Sequence, residues 1–115
     1  MAIAGIYNFT LDQGATWTLE IIYNDPSGTP INLTGYTAEM QVRRKFDSDS
    51  PVLTLSTSNG GITIVGATGT LNLVATDEQA AIDAGLYVYD LELSLSGVRT
   101  RLIQGTVTVS GEVTR

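Results

Sequence analysis

Leu86-Tyr87-Val88-Tyr89-Asp90-Leu91-Glu92-Leu93-Ser94-Leu95 is the stretch that decides the fold. Tyr87, Tyr89, Leu91, Leu93 and Leu95 fall on one side of an extended chain, and Val88, Asp90, Glu92 and Ser94 on the other. Alternation with a period of two marks a strand with one buried face. Nowhere else in the chain is the alternation sustained as long. A face that apolar has to be covered by a second layer.

The segments before it repeat the pattern in shorter form. Residues 5–11 read as a first strand, with Tyr7, Phe9 and Leu11 on one face. Asp12-Gln13-Gly14 supplies a turn. Residues 15–23 form a second strand, with Trp17, Leu19, Ile21 and Tyr23 on one side. The run from Asn24 to Pro30 is dense in turn formers and cannot continue a central strand. Ile31 and Leu33 then pin a short buried piece to the core. Residues 36–44 make a third strand, with Tyr36, Ala38, Met40 and Val42 inward and Thr37, Glu39, Gln41 and Arg43 outward. Short strands follow at 52–56, 62–65 and 70–74. Asn59-Gly60 signals a tight turn, and Gly66-Ala67-Thr68-Gly69 a hairpin connection.

Residues 76–85 are the one helical stretch. Thr76 and Gln79 have the spacing of a capping box, and Asp77 and Glu78 suit the positive end of a helix dipole. Gly85 stands where a helix would end, so one to two turns are expected. After the central strand, Ser96-Gly97 makes a two-residue hairpin turn. Residues 98–109 form the last strand, with Ile103, Gly105, Val107 and Val109 inward. Gly105 within it predicts a bulge or the close approach of another backbone. Residues 111–115 read as a tail. Asp83-Ala84-Gly85-Leu86-Tyr87 has the Asp-x-Gly-x-Tyr form of an immunoglobulin-like corner, where a tyrosine hydroxyl bonds back to the backbone. The expected fold is therefore all-β. It is an immunoglobulin-like antiparallel β-sandwich of about eight strands with one short helical turn, in a single domain over residues 1–115.

Composition removes several functions. The chain has 115 residues, with no Cys and no His. Disulfides and thiolate metal sites are excluded, and so are the commonest general base and the commonest transition-metal ligand. Six Lys and Arg stand against twelve Asp and Glu, a net charge of −6, which disfavours nucleic acid and anionic membranes as partners. No apolar run approaches the ~20 residues of a membrane span, and the N-terminus lacks the basic and apolar regions of a signal peptide. There is no Gly-rich phosphate loop before a helix and no Ser-His-Asp set. Strand alternation also turns Glu20, Glu39, Asp90 and Glu92 outward, away from any shared cleft. No enzyme activity, no cofactor and no catalytic residue is expected. Asp47-Ser48-Asp49-Ser50 offers oxygens to a hard cation but lacks the glycine and distal Glu of a calcium loop, so no metal is expected either.

Five of the six cations lie in two short segments, Arg43-Arg44-Lys45 and Arg99/Arg101. If both segments end up at one end of the sandwich, they form a basic patch on an acidic body. Such a patch suits a charge-complementary contact with another subunit; otherwise the charges guard edge strands.

Asp12-Gln13-Gly14-Ala15-Thr16-Trp17 and the run Pro30-Ile31-Asn32-Leu33-Thr34-Gly35-Tyr36-Thr37-Ala38-Glu39-Met40-Gln41-Val42-Arg43 resemble a group of small tailed-phage and prophage virion proteins. Asn59-Gly60-Gly61-Ile62-Thr63, the segment from Gly85 to Leu91, and the close from Gly105 to Arg115 fit the same pattern, so the resemblance spans the chain. The group includes N-terminal domains of baseplate upper proteins and minor-tail sandwich domains. What the resemblance implies is a non-catalytic virion structural protein, made in the host cytoplasm. It would dock in symmetric copies at the neck, tail or baseplate, with other virion proteins as partners, and could hold fibres. A capsid decoration protein and a carbohydrate-binding sandwich are the alternative readings.

Overall fold

The computed structural model describes residues 5–111. Residues 1–4 of the N-terminus and residues 112–115, most of the expected tail and the close of the motif pattern, lie outside them. The described chain forms nine strands: β1 (Gly5–Ile6), β2 (Phe9–Asp12), β3 (Trp17–Ile22), β4 (Thr37–Arg43), β5 (Leu53–Ser56), β6 (Ile62–Val65), β7 (Thr70–Ala75), β8 (Gly85–Leu95) and β9 (Val98–Ser110). Two sheets pack as an immunoglobulin-like sandwich. The larger has the order β1-β9-β8-β4-β5, with β2 also on β9, and the smaller has the order β3-β7-β6.

β8 is the centre of the larger sheet, flanked by β4 and β9. Tyr87, Tyr89, Leu91 and Leu93 are buried as the alternation requires. Leu95, expected on the same face, is 39% exposed because the strand has by then run past the core. Ala38, Met40 and Val42 from β4 and Leu71, Leu73 and Ala75 from β7 join the same core, as does Leu33 from the loop before β4. The β8–β9 turn is a two-residue hairpin with Ser96 at φ 51° and Gly97 at φ 85°, the left-handed pair that matches strand twist.

The sandwich is not wholly antiparallel. β1 and β2 both run parallel to β9. The first strand expected at 5–11 is thus two short pieces, which share one offset against β9, Gly5 opposite Ile103 and Phe9 opposite Val107. Tyr7 and Asn8 leave the ladder between them. The Tyr7 amide still donates to the Gln104 carbonyl at 3.0 Å, while its carbonyl accepts the Tyr89 hydroxyl at 2.5 Å. The Asn8 side-chain oxygen takes over as acceptor for the Thr106 amide at 2.9 Å. Gly105 lies directly beneath this crossing, so the close backbone approach, and not a bulge, is what that glycine serves.

The bulge lies further along. Leu91 faces Ile103 but Glu92 faces Arg101, so β9 carries one extra residue, Leu102, which is buried. Strict alternation back from Val109 through Ile103 would have driven Arg101 and Arg99 into the core. One inserted residue reverses the facing of everything before it. Leu102 takes the inward place and both guanidinium groups reach solvent, which avoids burying unpaired charge.

The helical stretch at 76–85 is a single turn. The Ala80 amide donates to the Thr76 carbonyl at 2.9 Å, and no longer helix forms. The capping box is complete: the Gln79 amide donates to Thr76 Oγ1, and the Thr76 amide to Gln79 Oε1. The turn from β2 to β3 docks against it, the Gly14 amide donating to the Ala80 carbonyl and Gln13 Nε2 to the Ile82 carbonyl. The connection at 66–69, expected as a plain hairpin, holds a 3₁₀ turn over Gly66–Thr68. The corner forms as its motif predicts, with the Tyr87 hydroxyl donating to the Asp83 carbonyl at 2.6 Å.

Candidate functional site

The five clustered cations do not make one patch. Arg43 ends β4 opposite Val88, whereas Arg99 lies opposite Ser94 near the start of β9. Those positions are six residues apart on β8, roughly 20 Å along the strand. The strand ending near 43 and the strand beginning near 99 are therefore at opposite ends of the sheet, and the condition for a single basic end fails. The reason is topological: β4 and β9 both run antiparallel to β8, hence parallel to each other, so the end of one is far from the start of the other.

The individual cations have separate tasks. Arg44 leaves the sheet plane and places its guanidinium 5.0 Å from the Tyr87 ring, with Asp83 at 4.0 Å. It braces the corner from an exposed position, where such a pair adds little stability. Lys45 caps its own loop through its amide, which donates to Ser48 Oγ. Arg43, Arg99 and Arg101 lie on the outer face of the larger sheet, among Glu39, Asp90 and Glu92.

That outer face contains a hollow of about 690 Å³. Its floor follows from strand register. Gln41 of β4, Asp90 of β8, Gln104 of β9 and Ile6 of β1 stand in one row across four strands. One row away are Arg43, Val88 and Thr106, and on the other side Glu39, Glu92 and Arg101. Ile6 is 77% exposed and Phe46, in the loop after β4, is 89% exposed; both line the hollow. Its polar groups are held in two arrays. Arg43 donates to the Ser48 carbonyl and to Gln41 Oε1, each at 2.7 Å, and Gln41 Nε2 donates to Glu39. Arg101 lies 3.4 Å from the Asp90 carboxylate and donates to Gln104 Oε1 at 3.0 Å. A smaller hollow near the other end holds Arg99 with Glu39, Glu92 and Ser58.

Sequence reasoning turned Gln41, Asp90 and Arg43 outward but could not assemble the row, because it needs the pairing of four strands. Phe46 had a signal that passed unused, a lone aromatic in an otherwise polar loop. Asp47 and Asp49 flank Ser48, whose carbonyl and hydroxyl are already engaged by Arg43 and Lys45. Among the described residues no group of three or more His, Cys, Asp or Glu is placed to hold a metal. A chelator is expected to leave the melting temperature unchanged; a drop of several degrees would restore a cation to that loop.

Behind the floor, burial pushes the Tyr89 hydroxyl up from 10.0 to about 12, with a smaller contribution from Tyr7. The folded state thus holds the proton more tightly than the unfolded chain. The stability this gives is complete below pH 10 and disappears as pH rises through about 12. Thermal melts across that window should show a steeper alkaline decline in the parent than in Tyr89→Phe. Parallel declines would mean that Tyr89 does not couple to folding.

No protein-family model matches the chain, and no curated protein matches it. Among solved structures, it is similar to an endo-β-1,4-mannanase from Thermotoga petrophila, with a TM-score of 0.52 and 16% identity. That match covers 96% of this chain and 18% of the mannanase. It is also similar to a marsupial T cell receptor, with a TM-score of 0.51 and 14% identity, covering 94% of this chain and 51% of the receptor chain. The chain thus spans about half of one of these structures and under a fifth of the other, and the likeness is one of fold. Among the described residues no helix is long and apolar enough to cross a membrane.

Proposed function

We propose that this domain is a structural protein of a tailed-phage virion, which works by docking with other virion subunits in symmetric copies at the neck, tail or baseplate. The sequence pattern running from Asp12 to Arg115 carries this reading. Its pieces coincide with elements that hold the fold: the Asp12–Trp17 segment makes the turn that seats on residues 80–82, Leu33 anchors the entry to β4, and Tyr87 within Gly85–Leu91 closes the corner onto Asp83. A domain of this kind works through where it binds. Its outward arginines are suited to contacts between subunits, since the planar guanidinium pairs bidentately with carboxylates.

Locating the domain in an electron-microscopy map of purified particles tests the reading. Density at the neck, tail or baseplate supports it, density on the capsid surface favours the decoration protein, and absence from particles ends both. Charge reversal supplies a second test. Arg99→Glu with Arg101→Glu should leave the isolated domain folded, because both side chains face solvent, and should abolish its incorporation into particles. Normal incorporation of the folded double variant would show that these arginines only protect the sheet.

A further inference from the structure

We infer that the hollow on the outer face of the larger sheet is a binding site for a neutral oligosaccharide. The inference does not rest on the virion reading, and the two compete for Arg101, which lines the hollow. The hollow's volume, about 690 Å³, lies in the range of small-ligand sites, ~300–1,000 Å³. Its floor carries Gln41, Asp90 and Gln104 side by side across three strands, an amide, a carboxylate and an amide. Adjacent strands are ~4.8 Å apart, so the row spans about 10 Å, the reach of a short chain of sugar rings.

Charge identifies the ligand class. The domain carries −6, yet the hollow is lined by Arg43 and Arg101 against Asp90 and Glu92, which cancel. An anionic ligand would meet two carboxylates and a cationic one two guanidinium groups. A neutral polyol meets donors and acceptors in balance, and each vicinal hydroxyl pair can give to a carboxylate or amide oxygen and take from an amide or guanidinium N–H. The acceptors and donors are also fixed in advance. Arg101 holds both Asp90 and the oxygen end of Gln104, which leaves the Gln104 amide nitrogen as the donor on that side. Arg43 holds the oxygen of Gln41, and Glu39 takes one of the two protons on its amide nitrogen, which leaves the second as a donor. Preorganised polar groups lose less freedom on binding. The apolar complement is present as well. Phe46 and Ile6 stand exposed on the hollow's lining, and Val88 lies in its floor, as partners for the C–H faces of sugar rings.

The test is a titration of the ¹⁵N-labelled domain with cellohexaose, mannohexaose, xylohexaose and chitohexaose, all uncharged, and with hexagalacturonate as the anionic counterpart. At least one neutral sugar should shift the backbone amides of Gln41, Val88, Asp90 and Gln104. Gln41→Ala with Gln104→Ala should weaken that binding about tenfold or more through the lost hydrogen bonds. Phe46→Ala should weaken it too, and its position in an exposed loop spares the fold. Three results would overturn the inference: no shift from any neutral sugar at ~10 mM, stronger binding of the galacturonate, or shifts confined to the β3-β7-β6 sheet. Retained affinity in both variants overturns it as well, and so does a particle map in which a neighbouring subunit fills the hollow.

Discussion

Leu91→Ala is expected to destabilise the domain by about 2–5 kcal/mol, the range for deleting a fully buried leucine. Leu91 is 0% exposed at the middle of the central strand, opposite Met40 on β4 and Ile103 on β9. Strands on both sides hold its surroundings in place, so the void cannot collapse. The lost transfer energy of the side chain is then joined by the cost of an unfilled cavity. Leu86, on the same strand, supplies the control. It is 63% exposed, and Leu86→Ala should stay within about 0.5 kcal/mol of the parent. Urea denaturation of the two variants measures the contrast directly. Equal losses would mean that the strand's facing is wrong, since a shift of one residue exchanges its two faces.

The success of β8 as a starting point has a physical cause. Its facing is written in its own residues, and so are the capping box at Thr76 and Gln79 and the corner at Asp83 and Tyr87, whose partners lie three or four residues apart. Features that depend on distant partners were less legible. The parallel run of β1 and β2 beside β9 joins residues almost a hundred positions apart, and nothing in 5–12 announces the direction of pairing. The extra residue at Leu102 was hidden for a related reason. Both Leu102 and Ile103 are apolar, so the alternation can be read in either phase, and only the pairing with β8 selects one.

The candidate site shows the same division. The outward facing of Gln41, Asp90 and Glu92 follows from local alternation, and each is where it was expected. Their assembly into rows depends on register between β4, β8 and β9, which the sequence does not display. The condition for a single basic end failed at the same step. Arg43 and Arg99 are both on the outer face, but the direction of two strands puts them at its opposite ends.

Gly105→Ala is expected to be as damaging as the leucine deletion although it adds only one methyl group. A Cβ at this position would overlap the Tyr7 carbonyl oxygen and come within 2.6 Å of Asn8 Oδ1. Neither atom can yield cheaply, because both are already bonded to the strands beneath. The Tyr7 carbonyl accepts the Tyr89 hydroxyl, and Asn8 Oδ1 accepts the Thr106 amide. To make room, residues 7–8 must lift away from β9. That motion breaks both bonds, loosens the Tyr7 amide from the Gln104 carbonyl, and leaves the Tyr89 hydroxyl buried without its acceptor. It also disturbs Phe9, whose ring stacks on Trp17 at 4.6 Å and meets Tyr89 edge-on at 4.9 Å. Overpacking together with the unmade hydrogen bonds amounts to about 3–5 kcal/mol. Gly5→Ala is the matched comparison. It lies on the same edge, and its Cβ would find Ile103 at an ordinary 3.5 Å. Urea denaturation of both variants should show a large loss for Gly105→Ala and a small change for Gly5→Ala. Hydrogen exchange at the Thr106 amide should accelerate only in the former. If Gly105→Ala loses no more stability than Gly5→Ala, the crossing of Tyr7 over β9 does not constrain the edge of the sheet.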